Sequence, residues 1–141
     1  MLDLTKERDV HIDQRLRSDP VIWLTTVRRD GRPHTIPVWF LWDGKTILIF
    51  SQPDTQKIRN LRNNPNVSLA LDGTDEGGDV IVLEGKAELL KEKATEFNQP
   101  DYYTKYSSSI QDTGETPESL AQSYHSQPIR ITPTKFIAWH D

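Results

Sequence analysis

The chain has 141 residues, room for one domain with a substantial core and too few for two. Seventeen Lys and Arg against 21 Asp and Glu give a net charge of -4, which excludes a general nucleic-acid binder because no basic stripe extends beyond one short segment. The absence of cysteine excludes disulfides, thiolate catalysis and thiolate metal sites. Met1 to Asp9 is charged and has no apolar leader core, and no run approaches the ~18 apolar residues of a membrane span. The expectation is a cytoplasmic protein with neither a membrane nor a nucleic-acid partner.

Leu4 to Ser18 sets Val10, Ile12 and Leu16 among many charges, a weakly amphipathic helix expected to cap the fold with one narrow stripe. Asp19-Pro20 breaks it. Val21 to Val27 is β-branched and aromatic and too short for a buried helix, hence a first strand. After the Arg28 to Gly31 turn, Pro33 to Trp42 reads as one long second strand. His34, Ile36, Val38, Phe40 and Trp42 alternate there with Thr35, Pro37, Trp39 and Leu41, so both faces are largely apolar and both are expected to be covered. Pro37 withholds a ladder hydrogen bond from its middle, marking either a sheet edge or unpaired backbone against which a flat ring can lie. Asp43-Gly44 signals a hairpin, and Thr46 to Ser51 returns as the third strand.

Ser51 to Pro65 then reads Ser-Gln-Pro-Asp-Thr-Gln-Lys-Ile-Arg-Asn-Leu-Arg-Asn-Asn-Pro. Asp54 is the expected N-cap, Ile58 and Leu61 share a face, and Asn64 before Pro65 marks the stop, predicting a helix over 55–63. Lys57 and Arg59 fall in or near its first turn, where the positive end of the helix dipole disfavours cations unless an anion lies there. First-turn amides, the Ser51 hydroxyl and a lysine are the parts from which phosphate sites are built. A solvated basic face is the other reading of the same residues.

Val67 to Leu71 is a fourth strand and Asp79 to Leu90 a long fifth, in which Gly85 predicts a bulge or sharp bend. Lys91 opens a helical insert that runs past Pro100 to about Thr113, where Gly114 stops it. Thr116-Pro117 starts a further helix to His125. Pro128 to Trp139 closes the chain as a sixth strand that Pro133 confines to an edge or a bulge. The pattern is mainly β with α: one α+β domain over 1–141, with an N-terminal helix at 1–18, a barrel core at 19–90, a helical insert at 91–127 and a closing strand at 128–141.

His11, His34, His125 and His140 lie on four segments with no pair at helical spacing, and each reads as structural rather than metal-ligating. Asp72, Asp75, Glu76 and Asp79 miss the calcium-loop spacing and read as a solvated hairpin loop. Ser107 to Ser109 lack the glycines of a nucleophile elbow. Catalytic residues stay unassigned, and no metal is expected. Trp23, Trp39 and Trp42 on two-sided apolar strands supply more apolar surface than one core of this size hides, which points to a dimer.

Asp30-Gly31-Arg32-Pro33-His34-Thr35-Ile36-Pro37-Val38-Trp39-Phe40, Ser51 with Lys57 to Pro65, and Glu84-Gly85 together resemble the pyridoxamine 5'-phosphate oxidase-like FMN-binding split-barrel family over residues 19–90. Ile129 to Lys135 followed by Trp139 is similar to the branch labelled as dependent on coenzyme F-420. The resemblance implies a six-stranded antiparallel split β-barrel with flanking helices, paired as a homodimer with two flavin-type cofactors in clefts between subunits. By its motif, Lys57 and Ser51 meet the cofactor phosphate with Gln52 and Arg59 nearby. The backbone of Ile36, Pro37 and Val38 flanks the ring, and Trp39 adds to that wall. The implied activity is hydride transfer to or from a small conjugated substrate. Thr55 stands where members that bind coenzyme F-420 often carry a second basic residue, and Gly77-Gly78-Asp79 where some relatives carry an aromatic that covers the cofactor, so FMN is the expected cofactor and F-420 the alternative. A non-catalytic FMN- or haem-binding module is the competing expectation, and a dimeric interaction protein with a degenerate cleft a third.

Overall fold

The computed structural model describes residues 1–91, 100–123 and 127–140. Helix α1 (Glu7–Ser18) leads into strands β1 (Ile22–Val27), β2 (Pro33–Val38), β3 (Leu41–Trp42) and β4 (Ile47–Ser51). Helix α2 (Gln56–Asn63) is followed by β5 (Asn66–Leu71) and β6 (Asp79–Leu89), then by α3 (Pro100–Lys105), α4 (Ser107–Thr113), α5 (Pro117–Ser123) and β7 (Gln127–His140). The strands form one antiparallel sheet in the order β2-β1-β5-β6-β7-β4-β3, curled into a half-barrel. The expected start of the insert at 92–99, the end of its last helix and His125 lie outside the described residues.

The long last strand produces the curl. β7 pairs with β6 from Asp79↔His140 to Leu89↔Ile129, and its first five residues also pair with β4. It thereby ties the β2-β1-β5-β6 run to the β3-β4 hairpin. Midway, Glu84 pairs with Lys135 but Gly85 with Pro133, so Thr134 is the extra residue of a bulge. Both sequence signals meet there. Pro133 sits in a central strand at the bulge, and a side chain on Gly85 would bring its Cβ to 2.7 Å from the Thr132 carbonyl oxygen.

Inward alternation fills the curl with Ile22 and Leu24 of β1, Ile47 and Ile49 of β4, Leu69 of β5, Ile81 and Leu83 of β6, and Ile129 and Ile131 of β7. Ile12 and Leu16 of α1 and Ile58 and Leu61 of α2 join them. A second cluster lies on the other face of β4, where Leu48 and Phe50 meet Tyr102, Tyr106, Ile110 and Leu120 of the insert. Every residue of β4 is therefore buried.

The structure corrects the expected six strands to seven, because Pro33 to Trp42 is two strands and not one. β2 pairs with β1, whereas β3 pairs with β4, and Trp39 and Phe40 belong to neither ladder. Side chains of the insert replace the missing backbone partners. The Phe40 amide donates to Tyr106 Oη at 2.9 Å, and its carbonyl accepts from Lys105 Nζ at 2.9 Å. Within the chain itself, Pro33, Thr35 and Pro37 of β2 are left exposed at the sheet edge.

The acidic loop departs from expectation as well, because Asp79 is buried rather than solvated. Its carboxylate lies 2.9 Å from His11 Nε2 and 3.3 Å from Arg15 Nη1. Burial raises the carboxyl, but the His11 hydrogen bond and the Arg15 charge outweigh it and hold it below the usual carboxylate value. Arg15 also donates to the Asp72 carbonyl at 2.7 Å and to Asp19 at 2.6 Å, fastening α1 across the mouth of the β5-β6 hairpin.

The close approach at the bulge is testable. Gly85→Val is expected to lower the unfolding free energy by about 1 to 3 kcal/mol in urea titration, because the added atoms meet backbone rather than a movable side chain.

Candidate functional site

β4 ends at Ser51, and the chain turns through residues 52–55 into α2. Thr55, not the expected Asp54, occupies the N-cap position with extended backbone. It makes no side-chain cap, since its hydroxyl lies 3.3 Å from both Ser51 Oγ and Lys57 Nζ. Asp54 instead offers its carbonyl to Arg59 Nη1 at 2.7 Å. Among the described residues, the orphan amides of the first turn are thus left without a side-chain acceptor.

The phase of α2 is fixed from within. Ile58 and Leu61 enter the core, and Asn60 Nδ2 donates to the buried Thr26 hydroxyl of β1 at 2.9 Å. Gln56 Nε2 holds the other end of the Asn60 amide at 2.7 Å. Lys57, one turn before Asn60 and Leu61, is then forced onto the same buried side and is only 8% exposed. Among the described residues Lys57 forms no ion pair, and its ammonium has the Thr55 hydroxyl for a hydrogen-bond partner. Burial pushes its pKa below the ordinary lysine value.

Lys57 opens into a cleft of about 550 Å³. Ser51, Gln52 and Thr55 surround its polar end, while Pro37, Val38 and Trp39 form one wall with Val21 and Phe50 nearby. The insert completes the lining with Thr113 and Leu120. Lys57 is the one charged side chain among the described lining residues. His34 stands close enough to feel Lys57 and Arg28, and burial together with those charges lowers its pKa, keeping the imidazole neutral at pH 7.

Of the eight residues expected at a site, Pro37, Val38, Trp39, Ser51, Gln52 and Lys57 come together in this cleft. Ile36 and Arg59 do not line it. Ile36 is half-buried within β2, opposite Leu24, and Arg59 is exposed and turned back onto Asp54 and the Gln56 amide. Thr55, at the start of the predicted helix, was within reach of sequence reasoning, but Thr113 and Leu120 arrive from a distant segment with no local signal. Chemically, the arrangement offers an anion site at one end and an apolar wall for a flat group at the other.

The family model described as pyridoxamine 5'-phosphate oxidase matches residues 9–140, nearly the whole of this arrangement. The chain belongs to the pyridoxamine 5'-phosphate oxidase family. General stress protein 26 of Bacillus subtilis is 40% identical over 68 residues, a stretch that spans 47% of this chain and 48% of that protein. Among solved structures, the haem storage protein HutZ of Vibrio cholerae superposes with a TM-score of 0.67 at 16% identity, covering 94% of this chain and 95% of that one. An F420 reductase superposes with a TM-score of 0.65 at 24% identity, covering 88% and 94%. At these identities the two structures share the fold.

A buried ammonium with no carboxylate partner among the described residues is destabilising, and the sign of its pH dependence follows. The cost is fully present while Lys57 is charged in the folded state and disappears as pH rises from its lowered folded pKa toward the ordinary lysine value. Lys57→Met is therefore expected to raise the thermal midpoint at pH 7, with an advantage over the unsubstituted protein that shrinks on going to pH 10. A lower midpoint in the variant at pH 7 would show that the ammonium is satisfied without a ligand.

Proposed function

We propose that this member of the family is an FMN-dependent oxidoreductase that transfers a hydride to or from a small conjugated substrate, with coenzyme F-420 as the alternative cofactor. The observation that carries the reading is the buried Lys57, without a counter-ion among the described residues, at the N-terminus of α2. A phosphate dianion satisfies that ammonium, the uncapped first-turn amides and the Ser51 and Thr55 hydroxyls together. The apolar wall at Pro37, Val38 and Trp39 suits a flat ring system, and Gln52 lies at the phosphate end. In this reading Ile36 supports the wall from within β2, and Arg59 acts on the anion only through its charge.

When bound, the flavin supplies the hydride donor or acceptor. The chain's own residues bind, orient and exclude water: Lys57 and Ser51 fix the phosphate, while Trp39, Phe50 and Leu120 shield the ring end. No carboxylate or imidazole lines the cleft among the described residues, so no side chain there is assigned as acid or base. A single lysine matches a single phosphate better than the longer anionic tail of coenzyme F-420, which favours FMN. The fold is also that of a haem storage protein, but no described histidine lines this cleft, and a haem-holding module is the weaker reading.

A homodimer belongs to the same proposal. Thr35 and Pro37 on the open face of β2 and Trp23, 39% exposed, flank the ring end and supply a surface for a second copy. Sedimentation is expected to give twice the chain mass, and a monomer at micromolar concentration would remove the shared cleft.

The direct test is titration with FMN followed by quenching of flavin fluorescence. Lys57→Ala is expected to weaken FMN binding by about 10- to 100-fold, the loss of one charge-assisted phosphate bond, and to leave riboflavin binding unchanged. Failure of both FMN and coenzyme F-420 to bind, or equal FMN affinity in the variant, would overturn the reading.

A further inference from the structure

Trp39 lies between two ladders. Val38 is the last paired residue of β2, and the next ladder begins at Leu41. The Trp39 indole packs against the apolar cluster that β4 shares with the insert. The Tyr106 ring stacks on the Trp39 indole with centroids 4.4 Å apart and planes 2° from parallel. Its hydroxyl, between α3 and α4, accepts from the Phe40 amide at 2.9 Å and points its proton at the Pro20 carbonyl, 2.7 Å away, or the Phe40 carbonyl at 3.0 Å. Lys105 reinforces the clamp, with its ammonium 3.7 Å from the centre of the Phe40 ring and donating to the Phe40 carbonyl.

Tyr106 does not line the cleft, although Trp39, Thr113 and Leu120 do. Its phenol is 3% exposed, and burial pushes the pKa up to about 12, so the hydroxyl keeps its proton through the neutral range. Nothing about phosphate binding calls for this arrangement. A preformed stacking surface is what it provides.

We propose that Tyr106 is a positioning residue for the ring end of the cleft: by stacking on Trp39, it holds the indole as a rigid wall for the flat part of the ligand. The proposal rests on the flavin reading and assigns the insert a share of ring recognition. It separates two contributions to affinity, phosphate binding through Lys57 and ring binding through Trp39.

The experiment measures dissociation constants for FMN and for riboflavin, which lacks the phosphate, in the whole chain. Tyr106→Leu is expected to weaken both ligands by the same factor, about 3- to 10-fold. Tyr106→Phe, which keeps the stacked ring, is expected to stay within about twofold of the unsubstituted protein. Trp39→Leu is expected to reproduce the equal loss, and adding Tyr106→Leu to it to change neither constant further. Should Tyr106→Leu lack a cooperative thermal transition, Tyr106→Met, which fills more of the space without a flat ring, takes its place in both measurements. Unchanged riboflavin affinity in Tyr106→Leu or Trp39→Leu, a loss confined to FMN, or a Tyr106→Phe as weak as Tyr106→Leu would overturn the proposal. If the unsubstituted protein binds neither flavin, the functional reading itself falls; if it binds both and the Tyr106 and Trp39 variants bind equally well, only this inference does.

Discussion

The burial of the Lys57 ammonium beside the start of α2 is the constraint around which the cleft is arranged. Desolvating a cation costs free energy, and the described protein offsets it only with a hydroxyl at 3.3 Å. The helix fixes the side from which the lysine stem leaves. Ile58 and Leu61 are locked in the core, and Asn60 is bonded to Thr26 beneath the sheet, so the helical period commits the lysine to the buried side. The same turn exposes amides that no side chain caps. Two electropositive features held rigidly together, with no described acidic side chain lining the space before them, select for an anion.

The remainder of the fold positions the surfaces that face this end. β7 is long enough to pair with β6 and β4 at once, and the Gly85 and Pro133 bulge bends it so that β4, and with it Ser51, is brought round to the β1-β2 edge. The insert then packs on the outer face of β4 through Tyr102, Tyr106 and Ile110, and places Thr113 and Leu120 over the cleft. The break between β2 and β3 is where these two parts meet. Without Tyr106 and Lys105, the Phe40 amide and carbonyl would be buried without partners, which backbone groups rarely tolerate.

Much of this was legible in the sequence because its causes are local. The proposed anion site follows from Ser51, the turn and the helical spacing of Lys57, Ile58 and Leu61; the bulge follows from Gly85 and Pro133, each unusual in a strand interior. Two of the misses have a different cause. Alternation of apolar residues continues unbroken from His34 to Trp42, so a period-2 reading cannot detect that Phe40 has exchanged a strand partner for a tyrosine far along the chain. Asp79 read as one of four loop carboxylates because its partners, His11 and Arg15, sit on the first helix. Asp54 was the stronger capping residue by type, but the turn after β4 places Thr55 at the helix boundary, where its hydroxyl serves Ser51 and Lys57 instead. For Phe40 and Asp79 a contact over long sequence separation overrode a sound local preference; for Thr55 the path of the turn itself did.

The central claim is that Lys57 is buried to hold a phosphate, and a crystal structure of the protein grown with FMN tests it most directly. The account predicts density for the phosphate against Lys57 Nζ, the Ser51 hydroxyl and the first amides of α2, with the ring beside Pro37, Val38 and Trp39. A flavin bound with its phosphate in solvent, or seated away from α2 with the Lys57 ammonium unchanged, would contradict it.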